Sequence, residues 1–319
     1  MKLIVQIPSY NEEQTLPATV RDIPRKIDGV DQVEILIIDD GSTDRTVEVA
    51  KEIGVDHIVK NTCNKGLART FLAGLDASLR LGADIIVNTD GDNQYKGRDI
   101  PKLVGPVLKG EADIVIGARQ TDKIQHFSAT KKRLQKIGSM VVRFLSETNV
   151  PDTVSGFRAF SREAAMQMNV VSPYSYTIET VIQAGKKHLA VTSVPIGTNP
   201  ETRESRLFKS IPKFLERSVT TMIRMYTMYQ PLRVFFYIGC LCILGGLIPS
   251  TRFLIYYFMG HTGHIQSLIL AAILFIVGFQ VLMIGLVADV ISFNRRLIEE
   301  TLLRVKHIEL DHLSHFHKR

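Results

Sequence analysis

The 319-residue sequence predicts an α/β domain built on a doubly wound, mostly parallel sheet, followed by interfacial amphipathic helices and a two-helix transmembrane hairpin. Three observations carry this reading. Short β-branched runs alternate with helical stretches through the first two thirds of the chain, the pattern of a parallel sheet with crossover helices. Acidic or glycine-containing segments follow several of those runs directly, where open α/β sheets place their ligands. Two apolar stretches, Val234 to Phe258 and Ile265 to Phe293, each exceed the roughly 20 residues that cross a bilayer.

Leu3 to Ile7 is the first strand, ended by Pro8, and Asn11-Glu12-Glu13 opens a helix with Asn11 as its N-cap. Val33 to Ile38 is a second buried strand that runs into Asp39-Asp40-Gly41-Ser42-Thr43-Asp44, and Arg45 to Gly54 reads as a helix. Val55 to Val59 is a third strand, and a helix follows through Leu81. Ile85 to Val87 is the fourth, leading into Asp90-Gly91-Asp92-Asn93-Gln94. An acidic pair at the end of a buried strand, with a glycine between the carboxylates, offers hard oxygen ligands to Mg²⁺ or Mn²⁺. Taken alone, an Asp-x-Asp is equally a solvated turn, since turns favour Asp and Gly.

Ile114 to Ile116 is the fifth strand, followed by Arg119. Ala129 to Glu147 is helical and basic, with Lys131, Lys132, Arg133 and Lys136. Helices are expected around Glu163 to Met168 and from Ser175 to His188, and a strand from Val191 to Ile196. No Gly-x-Gly-x-x-Gly follows the first strand and no Gly-Lys-Ser/Thr loop occurs, so dinucleotide and P-loop chemistry lose their main support.

From Leu207 to Tyr229 apolar residues recur at helical spacing between Lys209, Lys213, Arg217 and Arg224, as in helices lying at a membrane interface. The predicted organisation is a catalytic domain over 1–205, interfacial helices over 206–232, a hairpin over 233–293 and a tail over 294–319. Arg233 before the hairpin and Arg295-Arg296 after it put both flanking parts on the cytoplasmic side of a multi-pass protein of the cell or endomembrane. His312, His315 and His317 in the tail could bind metal, but a terminal cluster of this kind is more often disordered. Three cysteines are too few for a disulfide framework and are expected to be reduced thiols. The net charge of +7 fits an anionic lipid surface; no aromatic-interleaved basic motif points to nucleic acid. The interfacial helices also offer surfaces for a homo-oligomer.

Pro8-Ser9-Tyr10-Asn11-Glu12, Ile38-Asp39-Asp40-Gly41-Ser42-Thr43-Asp44, Asp90-Gly91-Asp92 and Ser155-Gly156-Phe157-Arg158 fall in an order that resembles the family-two glycosyltransferases of the GT-A fold, and more narrowly the polyprenyl-phosphate glycosyltransferases, dolichyl-phosphate mannose synthases among them. The resemblance implies a nucleotide-sugar donor, a polyprenyl-phosphate lipid acceptor in the membrane, and a divalent cation, Mg²⁺ or Mn²⁺. It places Pro8, Tyr10, Asn11, Glu12, Ile38 and Asp40 in the nucleotide-sugar pocket together with Asp90, Gly91, Asp92 and Arg119, and makes Asp90, Asp92 and Gln94 the metal group. Asp40 is also a candidate helix N-cap. The resemblance also implies Arg119, Arg133 and Arg206 as the catalytic cations, with Ser155 and Arg203 beside Arg133 and Arg206 on the acceptor phosphate. Arg206 stands where the family carries a lysine, and Arg203 lies closer to that segment than the family's upstream arginine. Glu179 has three readings: a general base, a substrate-orienting group, or a helix cap. Two alternatives share the fold, a processive polysaccharide synthase and a non-catalytic membrane scaffold. The absence of tryptophan removes the Gln-x-x-Arg-Trp motif of the first, and the intact acids at 40, 90 and 92 argue against the second.

Overall fold

A computed structural model describes residues 1–119, 129–171, 176–200, 211–260 and 263–317, with backbone alone at 129–137, 211–215 and 314–317. Strand β1 (Lys2–Ser9) lies inside the sheet because its residues after Lys2 are all buried. It pairs in parallel with β2 (Gln32–Asp39) on one side and β4 (Ile85–Asn88) on the other, and β2 carries β3 (His57–Lys60) at the edge. Beyond β4 come β6 (Arg158–Ser161), β5 (Ile114–Arg119) and β7 (Val191–Ile196), giving the order β3-β2-β1-β4-β6-β5-β7 among the described residues.

Side chains alternate across this sheet as the strand period of two requires. Leu3, Val5, Ile7, Ile35, Ile37, Ile85 and Val87 face Leu16 and Val20 of α1 (Leu16–Asp22) and Leu103 and Val104 of α4 (Ile100–Leu108). The other face meets α3 (Leu67–Arg80), where a Cβ on Gly74 would stand 2.5 Å from Gln6 Oε1 and 2.8 Å from Ile38 Cδ1. The missing side chain is what lets helix and sheet approach so closely. Helices therefore cover both faces, as predicted.

The sheet is mostly parallel, as expected, with one exception: strand β6 is antiparallel to both β4 and β5. Its four residues begin with an arginine and leave no apolar run for the sequence to show. Asn11 is not a helix cap: α1 starts at Leu16, and Asn11 takes a left-handed φ of 55°. Its amide donates to Ser42 Oγ (2.9 Å) and its Oδ1 accepts from the Thr43 amide (2.8 Å), so Asn11 ties the β1 loop to the β2 loop.

The remaining helices of the sheet domain are α2 (Thr46–Glu52), α5 (Ala129–Ser146), α6 (Arg162–Gln167) and α7 (Thr177–Lys186). After them come α8 (Ile211–Tyr229), α9 (Pro231–Phe258) and α10 (Ile265–His317). Contacts divide the chain into Met1–Met222 with Leu303–Arg319, and Ile223–Leu302.

Within the second unit, α9 and α10 pack through small residues. A Cβ on Gly239 would meet Leu282 at 2.7 Å, and one on Gly278 would meet Ile243 at 2.7 Å. Close backbone approach of this kind substitutes for the hydrophobic drive that helix pairs lack in lipid. Leu241, Ile248, Phe279 and Val290 point outward, and both helices are long and apolar enough to cross a membrane. Ser292 Oγ donates to the Met228 carbonyl at 3.0 Å, and the Arg295 guanidinium sits 4.1 Å over the Tyr229 ring. The three cysteines are free thiols.

The C-terminal stretch is helical to His317, against the disorder expected of it. Its end belongs to the first unit: Glu309 pairs with Arg80 (2.7 Å), Lys306 Nζ donates to the Met166 carbonyl (3.0 Å), His307 lies 3.6 Å from Glu163, and Leu310 is buried. These partners are remote in sequence, so the local pattern of the tail does not reveal them.

Candidate active site

The acidic loop after β4 is built from its backbone outward. Asp92 Oδ1 accepts from the Gln94 amide at 3.1 Å, closing a turn in which Asn93 takes a left-handed φ of 58°. Thr15 and Thr19 both donate their hydroxyls to the Gly91 carbonyl, at 2.8 and 3.2 Å. Thr15 also donates to Glu12 Oε2 at 2.8 Å, so the segment after β1 and the acidic loop are one hydrogen-bonded body. A Cβ on Gly91 would lie 3.2 Å from Ser9 Oγ and 3.3 Å from Glu12 Cγ, which explains why the residue between the acids has none. On the far side, Asn199 holds the loop, its amide on the Gln94 carbonyl (2.8 Å) and its side chain on the Asn93 carbonyl (3.0 Å).

Asp90 faces the Ser155-Gly156-Phe157-Arg158 segment. A Cβ on Gly156 would meet the Tyr176 hydroxyl at 2.9 Å and the Asp90 carboxylate oxygens at 3.1 and 3.2 Å. The Gly156 carbonyl accepts from Asn88 Nδ2 (2.9 Å), and the Gly156 amide donates to the Tyr95 hydroxyl (3.0 Å). Asn88 Nδ2 also donates to the Tyr176 hydroxyl (2.8 Å), while its Oδ1 accepts from Gln6 (2.9 Å). The floor under the acids is thus a buried polar network, closed except at Gln6 Oε1, which is buried without a hydrogen-bond partner among the described residues. Burial pushes the Tyr95 hydroxyl up to about 12 and that of Tyr176 well above the ordinary tyrosine value, so both stay neutral donors and acceptors.

Arg158 is fully buried and spends its donors on carbonyls of Ser155 (2.8 Å), Thr153 (2.9 Å) and Thr177 (2.9 Å) and on Thr180 Oγ1 (2.6 Å). Burial lowers its pKa to about 10, which still leaves it charged at neutral pH.

Arg119, at the end of β5, is gripped by Asp152: Nε donates to Oδ2 at 2.8 Å and Nη2 to Oδ1 at 3.1 Å. Burial works against the arginine's charge, but Tyr95, Asp152 and Asp90 outweigh it and raise the pKa above its usual value. For Asp152 burial acts upward and the Arg119 guanidinium downward, and the guanidinium wins, holding the carboxyl below its ordinary range. A guanidinium has five N–H bonds; the fork to Asp152 uses two of them, so it orients the rest.

The structure brings most of the predicted residues together. Pro8 and Ile38 are register partners across β1 and β2, with Asp40 one residue beyond the end of β2 and Tyr10 at the surface. Asp40 does not cap a helix: Oδ1 accepts from the Lys65 amide (2.9 Å) and Asn61 Nδ2 (3.0 Å), and Oδ2 from the Gly66 amide (2.9 Å). It fixes the approach to α3.

Two residues have other employment. Ser155 is fully buried, its hydroxyl accepting from the Phe157 amide (3.4 Å) and its carbonyl from Arg158 (2.8 Å). Glu179 is fully buried in the first turn of α7 and accepts from the Val171 amide in the preceding loop (2.8 Å) and from Gln183 (3.3 Å). Arg133 lies on α5 in the stretch described by backbone alone, and Arg203 and Arg206 lie outside the described residues. Sequence reasoning missed Tyr95, Asn88, Asp152, Tyr176 and Asn199, whose partners are set by tertiary contact alone.

Among the described residues no three His, Cys, Asp or Glu side chains converge as a closed metal cage. The chemistry of the donor set at Asp90 and Asp92 still suits a hard cation, because Mg²⁺-type ions are usually held by one or two carboxylates plus substrate phosphate and water.

Known proteins place this arrangement. The sequence profile of glycosyl transferase family 2 matches residues 4–168, more than half of the chain, and that of the GtrB C-terminal hairpin matches residues 230–293. The chain belongs to glycosyl transferase family 2. Among its relatives are the polyprenol monophosphomannose synthase of Mycolicibacterium smegmatis, 30% identical over 206 residues, 61% of this chain and 76% of that one. Another is glycosyltransferase AglJ of Haloferax volcanii, 27% identical over 314 residues, with 95% and 96% covered. Glucosyl-3-phosphoglycerate synthase from Mycobacterium tuberculosis, solved with Mn²⁺, UDP and glucosyl-3-phosphoglycerate, shares the fold with a TM-score of 0.54 at 23% identity, over 71% of this chain and 78% of that one.

Proposed function

We propose that the protein transfers a sugar, with inversion, from a nucleoside-diphosphate donor to a polyprenyl phosphate in the membrane. The observation that carries the reading is one chain holding both an acidic loop clamped against the ends of β1 and β4 and, directly C-terminal to the sheet domain, two membrane-length helices. The relatives named for polyprenyl-phosphate substrates support the acceptor class. Arginines at both ends of the hairpin support a cytoplasmic sheet domain and C-terminus.

In this reaction an oxygen of the acceptor phosphate forms the bond to the anomeric carbon. The bond from that carbon to the donor diphosphate breaks, and its electron pair leaves with the nucleoside diphosphate. A phosphate monoester is mostly ionised at neutral pH, so no strong base is required, in keeping with the burial of Glu179. Pro8, Tyr10, Ile38 and Asp40 line the nucleoside side, and Asp90 and Asp92, with Gln94, would hold Mg²⁺ or Mn²⁺. When bound, the cation supplies Lewis-acid stabilisation of the leaving group. Arg119, oriented by Asp152, directs its remaining N–H bonds to phosphate oxygens, joined by Arg133 and Arg206 on the acceptor side and by Arg203.

The test is transfer of radiolabelled sugar from a panel of UDP- and GDP-sugars to short polyprenyl phosphates in Mn²⁺, with the lipid-extractable product identified as a single sugar on phosphate. Asp92→Asn is expected to remain folded and lose most of this turnover. A polymeric product, or wild-type turnover by Asp92→Asn with metal chelated, overturns the reading.

A further inference from the structure

The acidic loop after β4 has no helix or strand of its own from Thr89 to Gln94, so its shape is set from outside. One brace is the pair of threonine hydroxyls on the Gly91 carbonyl. The other comes from the chain as it leaves β7. The Gly197 amide donates to Asp99 Oδ2 at 2.7 Å, Thr198 forms an antiparallel bridge with Tyr95, and Asn199 then reaches the loop with both backbone and side chain. Pro200 follows, and a residue ahead of proline is biased to the extended backbone that such a bridge needs.

The two bonds from Asn199 do different things. Its amide holds the Gln94 carbonyl at 2.8 Å, beyond the turn. Its Nδ2 holds the Asn93 carbonyl at 3.0 Å, and that carbonyl shares a peptide group with the Gln94 N–H, which donates to Asp92 Oδ1 at 3.1 Å. A peptide group is a rigid plane, so pinning its oxygen aims its N–H. An accepting carbonyl also polarises the N–H of the same amide, so the two bonds strengthen each other. Releasing that carbonyl lets Asn93 leave its left-handed φ of 58° for the commoner right-handed region, which turns the Gln94 N–H away from Asp92. The Asn199 side chain thus orients the Asp92 carboxylate at one peptide's remove.

We propose that Asn199 is a positioning residue for the divalent cation. It presets Asp92 through the peptide between Asn93 and Gln94, and cation binding and the docking of residues 197–199 on the loop favour each other by the same factor. The inference rests on the reading of Asp90 and Asp92 as cation ligands; neither the sugar nor the lipid acceptor enters it.

The test measures cation binding by the full chain without acceptor, so no transfer takes place. Free Mn²⁺ is read by electron paramagnetic resonance in saturating UDP and, separately, GDP, with nucleotide alone as the blank. Asn199→Ala is expected to weaken Mn²⁺ binding about tenfold, as loss of a group that orients a metal ligand does, and Asn199→Gln, which keeps the amide donor, to recover most of it. Equal loss in both variants overturns the proposal, because it leaves Asn199 a packing residue. Should Asn199→Ala not fold, hydrogen exchange of the wild type decides. Mg²⁺ with nucleotide should slow exchange at the Asn199 amide about tenfold relative to nucleotide with chelator, by the same linkage, and an unchanged rate overturns the proposal. A wild type that takes up no Mn²⁺ overturns this proposal together with the cation reading of the proposed reaction. Mn²⁺ binding that Asn199→Ala leaves untouched overturns this one alone.

Discussion

Asp152 shows how much of the site depends on residues that themselves touch no substrate. Its fork on Arg119 is buried on the carboxylate side, so Asp152→Ala strands a guanidinium and is expected to destabilise the protein by about 3 kcal/mol in denaturant titration, the usual cost of breaking a buried pair. The same substitution frees Arg119 to rotate, and transfer activity should fall further than the stability loss explains. The pair also sets a pH dependence. The folded pKa of Asp152 is depressed, so its stabilisation is complete above the unfolded carboxylate value of about 4 and disappears as pH falls through the lower folded value. The stability difference between the wild type and Asp152→Asn should be flat from about pH 8 to 5 and shrink below about pH 4. Tyr95→Phe leaves the Gly156 amide without its acceptor and should cost about 1–3 kcal/mol by the same measurement.

At the level of elements, the sheet fixes the site by register and the loops finish it. Strands β1, β2, β4, β5 and β7 were legible because each is a β-branched apolar run, and the acidic loop was legible because acid directly follows such a run. Strand β6 was not, since its burial comes from lying between β4 and β5 and its leading Arg158 is held in the interior by hydrogen bonds that include Thr177 and Thr180 of α7. Asn11 misled because an Asn ahead of a helix serves equally as an N-cap or as a left-handed turn residue, and only the Ser42 and Thr43 contacts decide between them. The loop containing Gly156 offers the sharpest test. Gly156→Ala drives a methyl against the Asp90 carboxylate and the Tyr176 hydroxyl, and a displacement approaching 1 Å at a reacting centre costs about a hundredfold. Steady-state transfer should fall by that order while the far-ultraviolet spectrum stays that of the wild type.

Over the whole molecule, composition split by position announced a two-helix membrane hairpin and the motif order announced a glycosyltransferase, and the two apolar helices and the family matches agree with them. The helical tail was hidden because its stabilising partners, Arg80, Glu163 and Met166, belong to the sheet unit. Deleting residues 303–319 removes the buried Leu310 and contacts that are largely exposed, each of small worth. The expected result is a fall of about 2–4 °C in the unfolding midpoint, read by calorimetry, with the donor-binding signal of the enzyme retained.

Arg158 has a consequence for how this enzyme comes apart. Its charge is tolerable in the interior only while Thr153, Ser155, Thr177 and Thr180 surround it together. Peeling α7 away would expose a charge to an apolar gap before water could reach it, so partial opening is penalised and the segment beside Asp90 should unfold cooperatively with the sheet. In native-state hydrogen exchange the Gly156 amide is then among the slowest in the protein, exchanging only through global unfolding, and the acids lose their seat only when the entire domain does.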